Sequence, residues 1–153
     1  MQTVTTKTRT RGVLKKLTKV CTIRARQEEV FKALTDPEMM EEWTGGHAVM
    51  NLERGGEFQL WDGSIHGVNL VVSPELIIQN WKSGNWTEFS RVTFNISEKG
   101  DKTRIELVHE NIPEEEFTSV KSGWDEFYFS PLKELLEAGM EAEDGEEEEL
   151  EPL

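Results

Sequence analysis

For acid–base, nucleophilic or metal chemistry the chain offers three histidines, one cysteine and 30 carboxylates among 153 residues. His47, His66 and His109 lie far apart and in different predicted elements, so no metal-site spacing is formed. Cys21 falls in a predicted strand, where a free thiol usually serves as a small hydrophobe, and a lone cysteine excludes an intrachain disulfide. There is no Gly-x-Ser-x-Gly elbow. Gly45-Gly46 and Gly55-Gly56 are turn glycines without a dinucleotide or Walker pattern around them. Carboxylate pairs arise by chance among so many acids. Glu114-Glu115-Glu116, just after Pro113, fits a helix start, where acids suit the dipole. His109 is the one polar residue that strand alternation turns inward. It is either a hydrogen-bonded core histidine or, if that face lines a cavity, its main titratable group. No second polar group converges on it, so the chain is expected to catalyse no reaction and to need no cofactor or metal.

Binding is better represented than chemistry. Five Trp and seven Phe supply large apolar surfaces. Trp43 and Trp124 fit helical stripes and are expected in the core. Trp61 and Trp81 are out of phase with Phe58, Leu60 and Ile78, and Trp86 follows a Ser-Gly-Asn turn. Trp61, Trp81 and Trp86 are therefore the candidate partner surface, since exposed tryptophan often marks a contact. If a cavity exists, Phe58, Leu60, Phe94, Leu107, His109, Trp124 and Phe127 are its candidate lining. The opposing expectation is that these side chains simply fill the space.

The net charge of −13 is unevenly placed. Residues 1–16 carry only bases (Lys7, Arg9, Arg11, Lys15, Lys16), and residues 141–151 carry only acids. The body between them is acidic, which disfavours nucleic-acid binding. The first residues have no apolar h-region, and no apolar run approaches the ~20 residues that span a bilayer. These features lead to an expectation of a cytoplasmic monomer.

The elements that must position these residues follow from periodicity. Residues 1–12 read as a flexible basic arm, 13–138 as one domain, and 139–153 as a disordered acidic tail. Val13 to Arg24 suits a half-buried strand. In Gln27 to Leu34 the period becomes helical, with Val30, Phe31 and Leu34 on one face. Asp36-Pro37 restarts a helix, with Asp36 as a possible cap, and Gly45-Gly46 ends it. From Ala48 six strands follow: Ala48–Leu52, Glu57–Trp61, Ser64–Val72, Leu76–Lys82, Trp86–Ser97 and Lys102–Glu110. Their short turns include Asp62-Gly63, the strongest hairpin signal in the chain. They read as an antiparallel meander with one face wet. After Pro113 a helical stripe runs through Val120, Trp124, Phe127, Tyr128, Pro131 and Leu135. Pro131 is expected to kink this helix near Phe127. Only this helix is long and apolar enough to cover the sheet.

In order and spacing, these segments resemble a known family. The pieces are Val30-Phe31-Lys32-Ala33-Leu34-Thr35-Asp36-Pro37; Gly55-Gly56-Glu57-Phe58 with Asp62-Gly63-Ser64-Ile65-His66-Gly67; Pro74-Glu75-Leu76-Ile77-Ile78 with Trp81; Val92-Thr93-Phe94; Val108-His109-Glu110-Asn111-Ile112-Pro113; and Gly123-Trp124. From Val30 to Glu137 the chain resembles the domain of Hsp90 ATPase activators, within the START-like (Bet v 1-like) superfamily. The resemblance implies an α+β helix-grip fold, in which a curved antiparallel sheet wraps a long C-terminal helix and two short helices follow the first strand. It also implies a cytosolic co-chaperone with no catalytic residues, touching the N-terminal domains of the Hsp90 dimer. The full activators carry a separate N-terminal domain as well, and this chain resembles their second domain alone. The alternative is a carrier holding a lipid or other hydrophobic small molecule between sheet and helix.

Overall fold

Strand alternation and two changes of period build the architecture. A computed structural model describes residues 13–84 and 86–138. The basic arm (1–12) and the acidic tail (139–153) lie outside the described residues. The first strand, β1 (Leu14–Ile23), is followed by two short helices, α1 (Gln27–Thr35) and α2 (Pro37–Thr44). Six strands come next: β2 (Val49–Met50), β3 (Glu57–Leu60), β4 (Ile65–Val72), β5 (Leu76–Ser83), β6 (Ser90–Lys99) and β7 (Lys102–Pro113). All pairings are antiparallel, and the sheet order is β1-β7-β6-β5-β4-β3-β2. The meander is thus consecutive, and β1 closes it against β7. No helix among the described residues is long and apolar enough to cross a membrane.

The two short helices form for local reasons. Glu29 reaches back to accept the Arg26 backbone N–H at 3.2 Å, and Glu28 and Glu29 place acid in the first turn of α1. Val30, Ala33 and Leu34 are its buried face. Pro37 opens α2, where its missing N–H costs nothing. Asp36 holds the cap position, but its side chain makes no capping bond. Gly45 ends the helix at φ +78°, a left-handed conformation that favours glycine. The Trp43 indole N–H donates to the Ala33 carbonyl at 2.8 Å, tying the two helices together.

The closing helix differs from a simple stripe. A 3₁₀ turn (Glu114–Glu116) leads into α3 (Phe117–Gly123), and a π turn follows (Trp124–Phe129). Helical geometry resumes through 130–138 as α4. In the π turn the Ser130 N–H bonds to the Asp125 carbonyl, five residues back. Pro131, which cannot donate, comes immediately after; the chain takes up one extra residue where a kink was expected. From Tyr128 onward the buried positions therefore run one residue later than the predicted stripe. Tyr128, Phe129, Leu132 and Leu136 are inside, and Phe127 is 57% exposed.

The core lies between the concave face of the sheet and this helix. In β6 and β7 the alternation holds: Val92, Phe94 and Ile96 point inward, as do Ile105, Leu107 and His109. β5 departs from the sequence reading. Its inward residues are Ile77, Gln79 and Trp81, not Ile78. Gln79 tolerates burial because its amide donates to Asn69 Oδ1 at 3.0 Å. Asn69, itself buried, donates to the Asn51 carbonyl at 2.8 Å.

Candidate functional site

The site is an aromatic cleft where the meander meets the closing helix. Its first wall is the β3–β4 turn. Trp61, Asp62 and Gly63 all adopt positive φ, at 50°, 58° and 92°. Left-handed backbone at a tryptophan is unusual and survives only where surroundings hold it. Here the Trp61 indole N–H donates to the Thr44 carbonyl at 3.0 Å, and the Asp62 N–H donates to the His47 carbonyl at 3.0 Å. Gly46 lies so close that a Cβ there would sit 3.0 Å from the Trp61 Cα. Leu60 pairs with Ile65, so the loop has four residues, not the two that Asp62-Gly63 suggested.

Trp81 on β5 provides the floor, and Glu116, Ser119, Val120, Gly123, Trp124, Phe127 and Tyr128 form the opposite wall. The hollow has a volume of about 490 Å³. Rings bind its walls to the rest of the core. Trp61 meets Tyr128 edge-on at 6.3 Å, Trp81 stacks on Trp124 at 5.6 Å, and Trp124 lies 4.5 Å from Tyr128.

Beneath the floor lies His109, which is fully buried. The Trp124 indole N–H donates to its Nδ1 at 2.9 Å. Nδ1 is therefore an acceptor, and the ring proton sits on Nε2. Contrary to the expectation that no second polar group converges on this histidine, Nε2 faces Ser90 Oγ at 2.8 Å, and the Ser90 hydroxyl donates to the Trp81 carbonyl at 2.7 Å. Every member of this chain has its partner. Burial pushes the imidazole down to about 3, so it stays neutral. The geometry makes His109 a strut between β6, β7 and the helix.

The predicted residues sort differently from the sequence grouping. Trp61 and Trp86 are half-buried, whereas Trp81 is buried with only 6% exposed, because it lies on the inward face. Trp86 packs edge-on against Trp81 at 5.8 Å. Of the predicted cavity lining, Phe58, Leu60, Phe94, Leu107 and His109 are packed in the core. Only Trp124 and Phe127 reach the hollow, and Phe127 stands exposed at its mouth. The structure thus brings two of the predicted surface tryptophans and two of the predicted cavity residues into one open cleft. As cleft residues, sequence reasoning missed Tyr128, assigned only to the helical stripe, Ser64 and Ile65, assigned only to the hairpin, and Ser83 and Ser119, which carry no motif. The other titratable candidates lie elsewhere. His47 Nδ1 pairs with Glu41 at 2.9 Å, and burial raises the Cys21 thiol to about 11. No group of three or more His, Cys, Asp or Glu side chains among the described residues is placed to hold a metal ion.

Comparison with known proteins adds a second line of observation. A family model described as "Activator of Hsp90 ATPase homolog 1-like protein" matches residues 24–137. The chain is 28% identical over 115 residues to activator of 90 kDa heat shock protein ATPase homolog 1 of Homo sapiens, covering 73% of this chain and 34% of that protein. It is 33% identical over 100 residues to the Dictyostelium discoideum homolog, covering 63% of this chain and 26% of that protein. The chain thus spans about a third of the length of these curated relatives or less. An HSP90 activator from Plasmodium falciparum has a similar structure, with TM-score 0.73 and 28% identity over 79% of this chain and 95% of that one. CalU16 from Micromonospora echinospora gives TM-score 0.70 and 27% identity, over 84% and 80% of the two chains.

Proposed function

This chain belongs to the activator of Hsp90 ATPase homolog 1-like family, and from that premise we propose that it is a co-chaperone-type module that binds Hsp90 and modulates its ATPase cycle. One observation carries the reading. The family match runs over nearly all the described fold, and a protein named as an HSP90 activator shares that fold along 95% of its own chain. The mechanism is differential binding, with this domain favouring one arrangement of Hsp90 over another. The acidic body steers it toward basic surfaces, so association weakens with salt. The protein acts in the cytosol as a monomer and carries out no reaction of its own.

The test is a titration of isotope-labelled protein with Hsp90, followed by amide shifts, alongside Hsp90 ATP turnover. The expected result is a localised patch of shifted amides and a changed turnover rate. Hsp90 that moves no resonance sinks the reading. A second reading, carriage of a hydrophobic small molecule, draws support from the open cleft alone, because the space between sheet and helix is filled by Phe94, Leu107 and His109. Native mass spectrometry of the purified protein tests it, and a bare polypeptide mass counts against it.

A further inference from the structure

The cleft has a shape and a charge that together specify a guest. Its volume of about 490 Å³ falls in the range of roughly 300–1,000 Å³ typical of pockets for organic groups. Trp61, Trp81, Trp124, Phe127 and Tyr128 give it an aromatic lining. Phe127 is a large apolar side chain left 57% exposed at the mouth. One turn earlier is Gly123, where a Cβ would meet nothing nearer than the Phe127 ring at 3.9 Å, so that wall is open to a guest.

Acid outnumbers base around it. Glu116 lines the cleft. Glu115, Glu126 and Asp62 adjoin Glu116, Phe127 and Trp61 in sequence and are exposed, against Lys82 and Lys121 beside Trp81 and Val120. None of these four carboxylates has an ion-pair partner among the described residues.

We propose that this cleft seats one bulky apolar side chain of a partner polypeptide whose flanking residues are lysine or arginine. The aromatic lining suits an apolar anchor, and the surplus of acid around it suits a chain that carries bases beside that anchor. Anchoring by one desolvated side chain with a charged rim is the usual division of labour at such interfaces. The inference rests on the reading of the domain as a protein-interaction module and names the surface it uses.

The experiment pans the full chain against a random twelve-residue peptide display library, then repeats the selection with Phe127→Ser and with the double variant Glu116→Lys/Glu126→Lys. All three positions are exposed or half-buried, and melting curves check that the fold survives. Val20→Ser, exposed on the outer face of β1, is the control. The expected peptides carry one Leu, Phe or Trp flanked by Lys or Arg. Their affinity drops about tenfold or more with Phe127→Ser, as for a hot-spot residue. Their basic preference disappears in the double variant, and Val20→Ser changes neither. A selection without a shared pattern, or one indifferent to both cleft variants, overturns the proposal. The same variants are then titrated against Hsp90. Binding of Hsp90 that Phe127→Ser leaves unchanged overturns the cleft assignment and spares the co-chaperone reading. A cleft-dependent peptide pattern with no binding of Hsp90 does the reverse.

Discussion

The His109 strut makes a pH prediction that can be isolated from every other titrating group. Folded, the imidazole is held at about 3 by burial; its ordinary value is 6.5. The folded-state value is depressed, so the unfolded chain takes up the proton first as pH falls. Stability is therefore fully present above 6.5 and is lost progressively toward 3. Each pH unit inside that window is worth about 1.4 kcal/mol, so going from about pH 7.5 to about pH 4.5 should remove roughly 2.7 kcal/mol through this residue alone. A folded-state value one unit higher changes that figure by only about 0.2 kcal/mol, because the histidine is still mostly neutral in the folded chain at about pH 4.5. The carboxylates also titrate there, so the assay is comparative. Guanidinium unfolding of the wild type and of His109→Gln is measured across the range. The variant is less stable by an offset reflecting lost hydrogen bonds, but only the slope matters. The gap between the two proteins should shrink by about 2.7 kcal/mol on acidification. Parallel profiles would refute the assignment of a buried, neutral histidine.

Further expectations follow from the same packing. Long-range nitrogen–proton spectra should show His109 as the Nε2–H tautomer, unchanged down to about pH 4.5. Gly67→Ala places a methyl group inside the contact radius of the Asn80 carbonyl oxygen across the β4–β5 ladder, so it should cost about 3 kcal/mol in denaturant unfolding. Asn69→Leu orphans both the Asn51 carbonyl and the Gln79 amide and should cost a similar amount, about 3 kcal/mol. Thr103→Val removes the hydroxyl that donates to the Ala25 carbonyl at 2.7 Å. Its expected cost is about 1–2 kcal/mol, read from the shift in denaturation midpoint.

Much of this fold was legible because apolar residues alternate cleanly in β6 and β7, the period changes at Gln27, and Pro37 marks the start of α2. Val92, Phe94, Ile96, Ile105 and Leu107 faced inward as their period required. The errors have physical causes. Trp81 is expected on the outside because it is out of phase with Ile78; the phase that buries it also buries a glutamine two residues earlier, which does not look like a core residue. It becomes one only through Asn69, ten positions away. Val49 and Met50 pair with β3 and the Asn51 N–H still donates to the Glu57 carbonyl at 2.9 Å, but the Asn51 carbonyl turns to the Asn69 amide and the ladder ends there. Asn111 at φ +64° inserts a bulge, so Ile112 and not Asn111 follows His109 into the core. The cleft itself was not legible as a unit. Its walls come from a strained turn, a mid-sheet tryptophan and a helix segment, and only the π turn's extra residue decides that Phe127 faces out.

That extra residue carries a historical implication. A π turn is geometrically what remains when one amino acid is spliced into an α-helix whose two ends are already anchored. Here the upstream end is fixed by Trp124 on His109 and the downstream end by Leu132 and Leu136 in the core. Excising a single position such as Glu126 should therefore let the segment relax to ordinary helical pitch with both anchors undisturbed. In most buried helices, the same deletion would turn half the contacts toward water.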